Sequence, residues 1–330
     1  MMDFILSCDW GTSSFRMRLA EVNQRKIVSE VLSDRGAGYM HESWNKTGKS
    51  LDIQSFYVNE LQRNIELLEE RTSFSLSGIA IVISGMASSS IGMYEVPYAA
   101  LPFSLETNPI SVKCIRSTEQ FPHNLFLVSG LCSPQDVMRG EETQIIGLAA
   151  IDPSLFKGND ILCILPGTHS KHVYIRKGVI VDFKTYMTGE LFHILSHYGI
   201  LKEAIVIPER PAILEPPQID AFCQGIRDAK KGDLLHMLFN VRVNTLFKKL
   251  VREDNYYYLS GLLIGTELEQ VLMASVERVC FCLDSNTYPF YALAIAKMNF
   301  RNRATIIEKE VMDRAVVEGH IGIFIDQLAK

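Results

Sequence analysis

The sequence predicts an α/β protein built from two related domains, and three observations support this prediction. The chain has 330 residues, which is long enough for two domains of ordinary size. Residues 4–19 form an apolar run, a Gly/Thr/Ser turn and an alternating segment, which is the pattern of a β-hairpin. Residues 161–176 repeat this pattern nearly half a chain length later. We therefore expect two hairpins, one in each domain, that face each other across a cleft.

The first hairpin turn carries groups suited to an anion. Asp9 ends the apolar strand, and Gly11, Thr12 and Ser13 follow it. Backbone N–H groups and hydroxyls in such a turn line an anion-binding concavity. An acid at the strand end is well placed to hold a metal through water. On this stretch alone, an ordinary hairpin with a polar turn remains the alternative.

The second hairpin turn has nearly the same core. Gly167, Thr168, His169 and Ser170 match the Gly-Thr-Ser-Ser order of the first turn, with a histidine in the third place. His169 adds positive charge when it is protonated. Two such turns predict a pair of loops that hold the phosphates of one nucleotide from opposite sides.

A third candidate loop follows the apolar strand predicted at residues 79–83. Ser84, Gly85 and Met86 come directly after this strand. Hydroxyls and a glycine at the carboxyl end of a buried strand are typical of a ligand-facing loop in an α/β sheet. A simple polar connection is the other interpretation.

Paired acids at the predicted start of a helix are the catalytic candidates. Glu141 and Glu142 follow Arg139 and Gly140. Phosphoryl transfer to an alcohol needs a carboxylate that accepts the hydroxyl proton, and a helix N-terminus favours the ionised form. A solvated helix start is the alternative. The Arg139 guanidinium matches a substrate carboxylate, although it could equally pair with a local glutamate.

Two glycines lie inside the apolar helix predicted at residues 256–276. Gly261 and Gly265 each cost helix stability, so they suggest a close approach by another backbone or by a nucleotide. Helix-to-sheet packing is the competing explanation. The proline-rich stretch at residues 208–217 is predicted to be a loop.

Seven short stretches, in the same order and across most of the chain, resemble the 2-dehydro-3-deoxygalactonokinase family of sugar-acid kinases, which belongs to the actin-like ATPase superfamily. The stretches are Asp9-Trp10-Gly11-Thr12-Ser13, Ser84-Gly85-Met86, Ser129-Gly130-Leu131-Cys132, Met138-Arg139-Gly140-Glu141-Glu142-Thr143-Gln144, Pro166-Gly167-Thr168-His169-Ser170-Lys171, Met187-Thr188-Gly189-Glu190-Leu191 and Leu259-Ser260-Gly261-Leu262-Leu263-Ile264-Gly265.

The resemblance implies two ribonuclease H-like (actin-like ATPase) domains with a nucleotide cleft between them, at residues 1–130 and 131–330. It also implies an ATP- and Mg²⁺-dependent kinase for 2-dehydro-3-deoxy-D-galactonate, acting at the 6-hydroxyl. Asp9 would organise the metal. Glu141 matches the acid after the glycine in the Gly-Asp-Gln-Gln segment of related carbohydrate kinases, so it is the expected base, with Glu142 beside it. A kinase for another keto-deoxy sugar acid, a non-catalytic sugar-acid sensor and a nucleotide hydrolase stay open as alternatives.

The resemblance fails near the C-terminus. The family normally has an Ala-Gly-Thr-Ser-like loop that borders the adenosine, but residues 284–289 contain no glycine. Ser285 takes a similar place there, and the resemblance puts Gly261 and Gly265 on the adenosine side as well. We therefore expect nucleotide affinity to be the property most altered in this chain.

Composition limits the partners. The net charge is −5 and no block of Lys or Arg stands out, which argues against nucleic acid or an anionic membrane as a partner. No apolar run approaches the ~20 residues that span a bilayer. The cysteines show no Cys-x-x-Cys pairing, which indicates free thiols in a reducing compartment. We expect a cytoplasmic monomer or homodimer that binds only small molecules.

Overall fold

The computed structural model describes residues 3–107, 109–209, 215–273, 276–300 and 302–329. Its strands are β1 (Phe4–Trp10), β2 (Phe15–Glu21), β3 (Lys26–Ser33), β4 (Ala80–Gly85), β5 (Ala99–Ala100), β6 (Phe103–Ser104), β7 (Val112–Ile115), β8 (Leu125–Val128), β9 (Leu131–Cys132), β10 (Val137–Met138), β11 (Asp160–Leu165), β12 (Ser170–Arg176), β13 (Val179–Tyr186), β14 (Arg278–Cys282) and β15 (Ala304–Ile307). Its helices are α1 (Ala37–Lys46), α2 (Ile53–Thr72), α3 (Glu141–Ile151), α4 (Pro153–Phe156), α5 (Thr188–His197), α6 (Pro216–Ala229), α7 (Leu234–Leu246), α8 (Arg252–Leu272), α9 (Tyr288–Lys297) and α10 (Lys309–Leu328).

The chain forms two compact units. Unit 1 comprises Met1–Gly158, Arg176–Asp182 and Glu310–Lys330, and unit 2 comprises Asn159–Ile175 and Phe183–Lys309. The main sheet of unit 1 has the order β3-β2-β1-β4-β8-β7. Strands β1, β2 and β3 are antiparallel neighbours, whereas β4 runs parallel to both β1 and β8. The central strand β4 is buried along its whole length, and the apolar run at residues 79–83 predicts this for most of the strand.

The second large sheet repeats this topology. Its order is β15-β14-β11-β12-β13-β6, and β14 runs parallel to both β11 and β15. Strands β12 and β13 are joined by Lys177 and Gly178, whose φ angles of 48° and 81° are both positive, as in a type I′ hairpin turn. With β11 counted as the first strand, the second sheet has the order third-second-first-fourth-fifth from β13 to β15, and β6 is added at the edge beside β13. The first sheet has the corresponding order from β3 to β8, with β8 in the place of β15, and β7 is added at the edge beside β8. The predicted fold class, two related α/β halves of ribonuclease H-like topology, is thus confirmed.

The packing boundary lies at Gly158, whereas the sequence predicts the changeover near residue 130. The reason is the close packing of α3 against α10 within unit 1. A Cβ added to Gly147 would overlap the Ala315 backbone, and one added to Gly319 would overlap the Thr143 carbonyl group. The assignment of separate functions to residues 1–130 and 131–330 stays a prediction.

Several elements differ from their predicted bounds. Helix α8 begins at Arg252 and ends at Leu272, and α1 is a helix that the sequence pattern did not predict. Within α1 only Ala37 and Met40 are buried, so it lacks a strong apolar period. Part of the predicted proline-rich loop, residues 210–214, lies outside the described residues. Among the described helices, none is long and apolar enough to cross a membrane.

Candidate active site

The turn after β1 is held from one side by the start of α1. The N–H groups of Ala37 and Gly38 donate to the carbonyl oxygens of Gly11 and Thr12 at 2.9 and 3.0 Å. Because each peptide unit is trans and planar, the N–H groups of Thr12 and Ser13 must point away from α1. Thr12 is half-buried and Ser13 is exposed. The turn therefore directs backbone donors outward, as an anion-binding loop requires.

Gly36 makes this arrangement possible. A Cβ at this position would overlap the carbonyl oxygen of Thr12 and the backbone of Ser13 and Ser14. Gly36 is not among the site residues that the sequence predicts. Its position directly before α1, the helix that follows β3, could have indicated it.

The turn after β11 is built in the same way in unit 2. The Glu190 N–H donates to the Thr168 carbonyl oxygen at 2.9 Å, so the His169 N–H points away from α5. A Cβ on Gly189 would overlap the Gly167 carbonyl oxygen. Gly167 and Thr168 are exposed. The two predicted phosphate loops thus share a backbone design, in which a glycine near the start of a helix, Gly36 or Gly189, packs closely against the turn.

Two side chains of the second turn form hydrogen bonds to glutamate side chains within unit 2. His169 Nε2 lies 2.6 Å from a carboxylate oxygen of Glu190. The Ser170 hydroxyl is buried and donates to Glu267 at 2.8 Å, so it does not face outward with Thr168. The placement of Ser170 differs from the predicted role in phosphate binding, because the residue begins β12 and its side chain faces the interior.

Asp9 lies among charged neighbours at the end of β1. It is opposite Arg16 on β2 and Ser84 on β4. Burial raises the pKa of Asp9. The positive charges of Arg16 and Arg18 oppose this shift, whereas the nearby carboxylates of Glu141 and Asp313 raise the pKa further. Asp9 and Glu141 are therefore close enough in unit 1 to interact electrostatically. Arg16 is not among the site residues that the sequence predicts, although the alternation of the hairpin could have indicated it.

The loop after β4 meets the start of α3. Gly85 has a φ of 87°, and the Cβ position of Gly140 lies 3.4 Å from Gly85 Cα. The Ser84 hydroxyl is buried and finds no hydrogen-bond partner among the described residues. Such an unsatisfied group next to an acid is expected where a ligand or a water completes the site. Met86, the third predicted contact, is half-buried.

The paired acids have different environments. Glu142 is 0% exposed, and both of its carboxylate oxygens accept from the Gly140 N–H, at 2.9 and 2.8 Å. Burial, with a smaller contribution from Glu141, raises the pKa of Glu142 to about 8. Glu141 is half-buried, and one of its oxygens accepts from the Arg139 N–H at 3.0 Å. Glu141 is thus the acid with a carboxylate that a ligand can approach.

Arg139 is fixed within unit 1. It is 8% exposed, donates to the Ser88 hydroxyl at 2.8 Å and to the Val96 carbonyl oxygen at 3.0 Å, and lies 4.2 Å from the centroid of the Tyr98 ring. The predicted pairing with a local glutamate side chain is not seen among the described contacts. Its Nε has no partner there, so one donor remains for a ligand or a water.

Unit 2 contains a cavity of about 140 Å³ beside the second turn. It is lined mainly by apolar and aromatic side chains, namely by Pro166, Gly167, Thr188, Gly189, Phe192, Tyr256, Ser260, Leu263, Ile264, Asn286, Thr287, Phe290 and Tyr291. Pockets that enclose a whole drug-sized ligand are larger, ~300–1,000 Å³. The cavity therefore suits one flat part of a ligand, such as a nucleobase.

None of the three residues predicted on the adenosine side, Gly261, Gly265 and Ser285, lines this cavity. A Cβ on Gly261 would overlap the Phe222 carbonyl oxygen, and one on Gly265 would lie 3.1 Å from Ile226 Cα. These glycines therefore permit close packing of α8 on α6. Ser285 is exposed and is not part of the cavity lining, whereas its neighbours Asn286 and Thr287 are.

The Asp284 carboxylate holds the loop at residues 284–289, in which the family's glycine is missing. Asp284 accepts from the N–H groups of Asn286 and Thr287 at 3.0 and 2.8 Å, and from the Thr287 hydroxyl at 2.8 Å. Such side-chain hydrogen bonds replace the conformational freedom of a glycine in turns. The departure from the family pattern thus leaves an ordered loop at the cavity.

No group of three or more His, Cys, Asp or Glu side chains in the described parts of the chain is arranged to hold a metal ion. This does not conflict with Mg²⁺, which proteins commonly bind through one or two carboxylates together with substrate phosphates. Asp9, the acid predicted to organise the metal, fits such a role.

The sequence profile of the 2-keto-3-deoxy-galactonokinase family matches residues 9–319. A 2-dehydro-3-deoxygalactonokinase of Escherichia coli (strain K12) is 34% identical over 207 residues, which cover 61% of this chain and 64% of that protein. A protein of Rhizobium meliloti (strain 1021), provisionally named 2-dehydro-3-deoxygalactonokinase, is 28% identical over 319 residues, 93% of this chain and 94% of its own.

The structural comparison agrees. A crystal structure of a protein from Sinorhizobium meliloti, provisionally named 2-dehydro-3-deoxygalactonokinase, has a TM-score of 0.76 and 26% identity, and covers 96% of this chain and 95% of that one. The profile match spans both phosphate-type loops, the paired acids and most of α10. This chain belongs to the 2-keto-3-deoxy-galactonokinase family.

Proposed function

We propose that this protein transfers a phosphoryl group from ATP to a hydroxyl of a 2-keto-3-deoxy sugar acid, with 2-dehydro-3-deoxy-D-galactonate as the substrate and its 6-hydroxyl as the acceptor. The observation that carries the proposal is the environment of Glu141. It is the half-buried member of an acid pair beside Asp9, in a chain of this kinase family.

In the proposed reaction Glu141 accepts the proton of the sugar hydroxyl as the oxygen attacks the γ-phosphorus of ATP. The buried Glu142 holds the Gly140 N–H and so fixes the first turn of α3. Asp9 would hold Mg²⁺, which neutralises phosphate charge when it is bound. The outward N–H groups of Thr12, Ser13 and His169 supply donors to phosphate oxygens, with Gly11, Gly167 and Thr168 in the same turns.

The sugar acid is proposed to lie by Ser84, Gly85 and Met86. The buried Ser84 hydroxyl, which finds no partner among the described residues, supports a contact with a substrate hydroxyl. The Arg139 Nε provides one further donor for the substrate carboxylate. The adenine base is proposed to enter the cavity of unit 2, where the amide of Asn286 and the hydroxyls of Ser260 and Thr287 provide polar contacts.

The test is product analysis by ³¹P nuclear magnetic resonance, with Mg·ATP and the sugar acid as substrates. The proposal predicts a phosphomonoester signal coupled to the protons at carbon 6, formed in equal amount to ADP. Parallel reactions with the gluconate-derived epimer measure which sugar acid is preferred. Inorganic phosphate without a phosphomonoester would instead indicate a hydrolase and would rule out the kinase. We further propose a cytoplasmic protein with small-molecule partners.

A further inference from the structure

A buried carboxylate in unit 2 has no role in the proposal above. Glu267, on α8, is 2% exposed. Its Oε1 accepts from the Ser170 hydroxyl at 2.8 Å and from His172 Nε2 at 2.9 Å, and its Oε2 accepts from the Tyr291 hydroxyl at 2.9 Å and from the Thr188 hydroxyl. A carboxylate offers about four acceptor positions, so this one is fully used.

The four donors come from three elements that surround the second turn. Ser170 and His172 begin β12, directly after the turn at residues 167–169. Thr188 begins α5 and precedes Gly189, which lies against Gly167. The start of β12 and the start of α5, which flank the turn, are therefore both hydrogen-bonded to one side chain on α8.

The same carboxylate is connected to the cavity. Tyr291 and Thr188 line it, as do Ser260, Leu263 and Ile264 of α8, the helix that carries Glu267. Hydrogen bonds to an ionised acceptor are about twice as strong as neutral ones, so the carboxylate holds these elements more firmly than an amide would. His172 is itself held by the Tyr186 ring, with the two ring centroids 4.3 Å apart.

We propose that Glu267 is a positioning residue for the nucleotide, which fixes the second phosphate loop relative to the base cavity. It acts through Ser170 and Thr188, and it touches no substrate because it is buried beneath them. The inference rests on the proposed function only in that unit 2 binds ATP. It predicts that replacing Glu267 weakens the binding of a ligand that contacts both the loop and the cavity more than the binding of a ligand that contacts the cavity alone.

The experiment measures the dissociation constants of Mg·ATP and of adenosine for the wild-type chain and for Glu267→Gln, by isothermal titration calorimetry. The glutamine keeps the size of the side chain and removes its charge. The Kd and KM for Mg·ATP should rise about tenfold, the loss expected for weakened charge-assisted hydrogen bonds. Adenosine affinity and the KM for the sugar acid should each change by less than about twofold.

A matched control is Glu318→Gln in unit 1. Glu318 is also a buried glutamate, is paired with Arg25 and belongs to unit 1, whereas the turn and the cavity belong to unit 2. It should lower the melting temperature and leave the Kd for Mg·ATP unchanged. If Glu267→Gln does not fold, Ser170→Ala replaces it, because Ser170 is buried and absent from the cavity lining. It should raise the ATP Kd about threefold or more, again without affecting adenosine.

Two results would overturn the inference. One is ATP affinity within twofold of the wild type in Glu267→Gln, or in Ser170→Ala where that variant is used. The other is an equal loss of ATP and adenosine affinity, which would mean a general collapse of the cavity. A wild-type chain that binds ATP but does not phosphorylate the sugar acid contradicts the proposed function and still allows this comparison. A wild-type chain that binds neither ligand contradicts both.

Discussion

The carboxylate of Glu142 turns back onto the N–H of Gly140, with both oxygens within 2.9 Å of that nitrogen. The two adjacent glutamates therefore have different environments, because Glu142 is completely buried whereas Glu141 is half-exposed beside Asp9. From the sequence alone, either acid is a candidate base.

Replacing each acid by its amide should therefore have unequal effects. Glu141→Gln should lower kcat by a factor of about 10²–10⁴, the usual contribution of a general base. Glu142→Gln retains a hydrogen-bond acceptor for the Gly140 N–H, so its loss should be much smaller. Steady-state kinetics on both purified variants, with circular dichroism as the control for folding, checks this difference. Equal losses would contradict the assignment of the base to Glu141.

The stability of the protein should depend on pH through Glu142. Its pKa rises from an ordinary 4.5 to about 8 in the folded chain, because burial disfavours the ionised form. Between these values the folded chain keeps a proton that the unfolded chain releases, so stability falls as the pH rises through this window. Glu142→Gln, which does not titrate, should lack this slope.

The measurement is chemical denaturation at several pH values from 6.5 to 9. This range avoids the titration of His320. Burial lowers the pKa of His320 to about 3, so its contribution to the free energy of unfolding rises between pH 3 and 6.5, opposite to that of Glu142. Wild type should lose stability relative to Glu142→Gln by about 1 kcal/mol or more between pH 6.5 and 8. Parallel profiles for the two proteins would show that Glu142 does not hold its proton as described.

A methyl group at Gly36 should disturb the turn after β1, the first of the two proposed phosphate loops. The added Cβ would overlap the Thr12 carbonyl oxygen, so the turn must move. Misplacement of a binding group by about 1 Å can cost up to about 10²-fold in rate, and we expect the KM for Mg·ATP to rise at least tenfold in Gly36→Ala. Gly38→Ala is the matched control, since its Cβ would lie 3.3 Å from the same oxygen and requires only a small adjustment. Similar KM values for the two variants would contradict the described role of Gly36.

Two glycines of α10 should respond in opposite ways to the same substitution. A Cβ on Gly319 would overlap the Thr143 carbonyl oxygen, whereas one on Gly322 would meet no heavy atom within 4 Å. Gly319→Ala should thus destabilise the chain by about 1–3 kcal/mol, as overpacking does. Gly322→Ala should stabilise it by about 0.5–1 kcal/mol, because alanine favours the helix. Thermal denaturation of both variants checks the packing of α10 on α3, and a stable Gly319→Ala variant would argue against it.

The sequence predicted the parts of the fold that depend on local pattern. The two turns at Gly11 and Gly167 were visible because each follows an apolar strand and precedes an alternating one. The shared strand order then follows from the repetition of that unit. Helix α2, which begins at Ile53, has a local signal of the same kind, because its apolar residues recur at helical spacing.

Side-chain direction and long-range packing were not predictable in this way. Ser170 occupies the place of an outward hydroxyl in the motif, yet its partner Glu267 lies 97 residues further along the chain. Gly261 and Gly265 indicated a close approach, but only the structure identifies α6 as the neighbour. The burial of Glu142 likewise depends on what packs around α3, which no pattern within the motif reveals.

The most direct test of the proposed function is the rate of ADP release by the wild-type protein with Mg·ATP, with and without 2-dehydro-3-deoxy-D-galactonate. The account predicts ADP release that depends on the sugar acid and saturates with it. ADP release at the same rate without the sugar acid, or none under either condition, would contradict the assignment of this chain as a sugar-acid kinase.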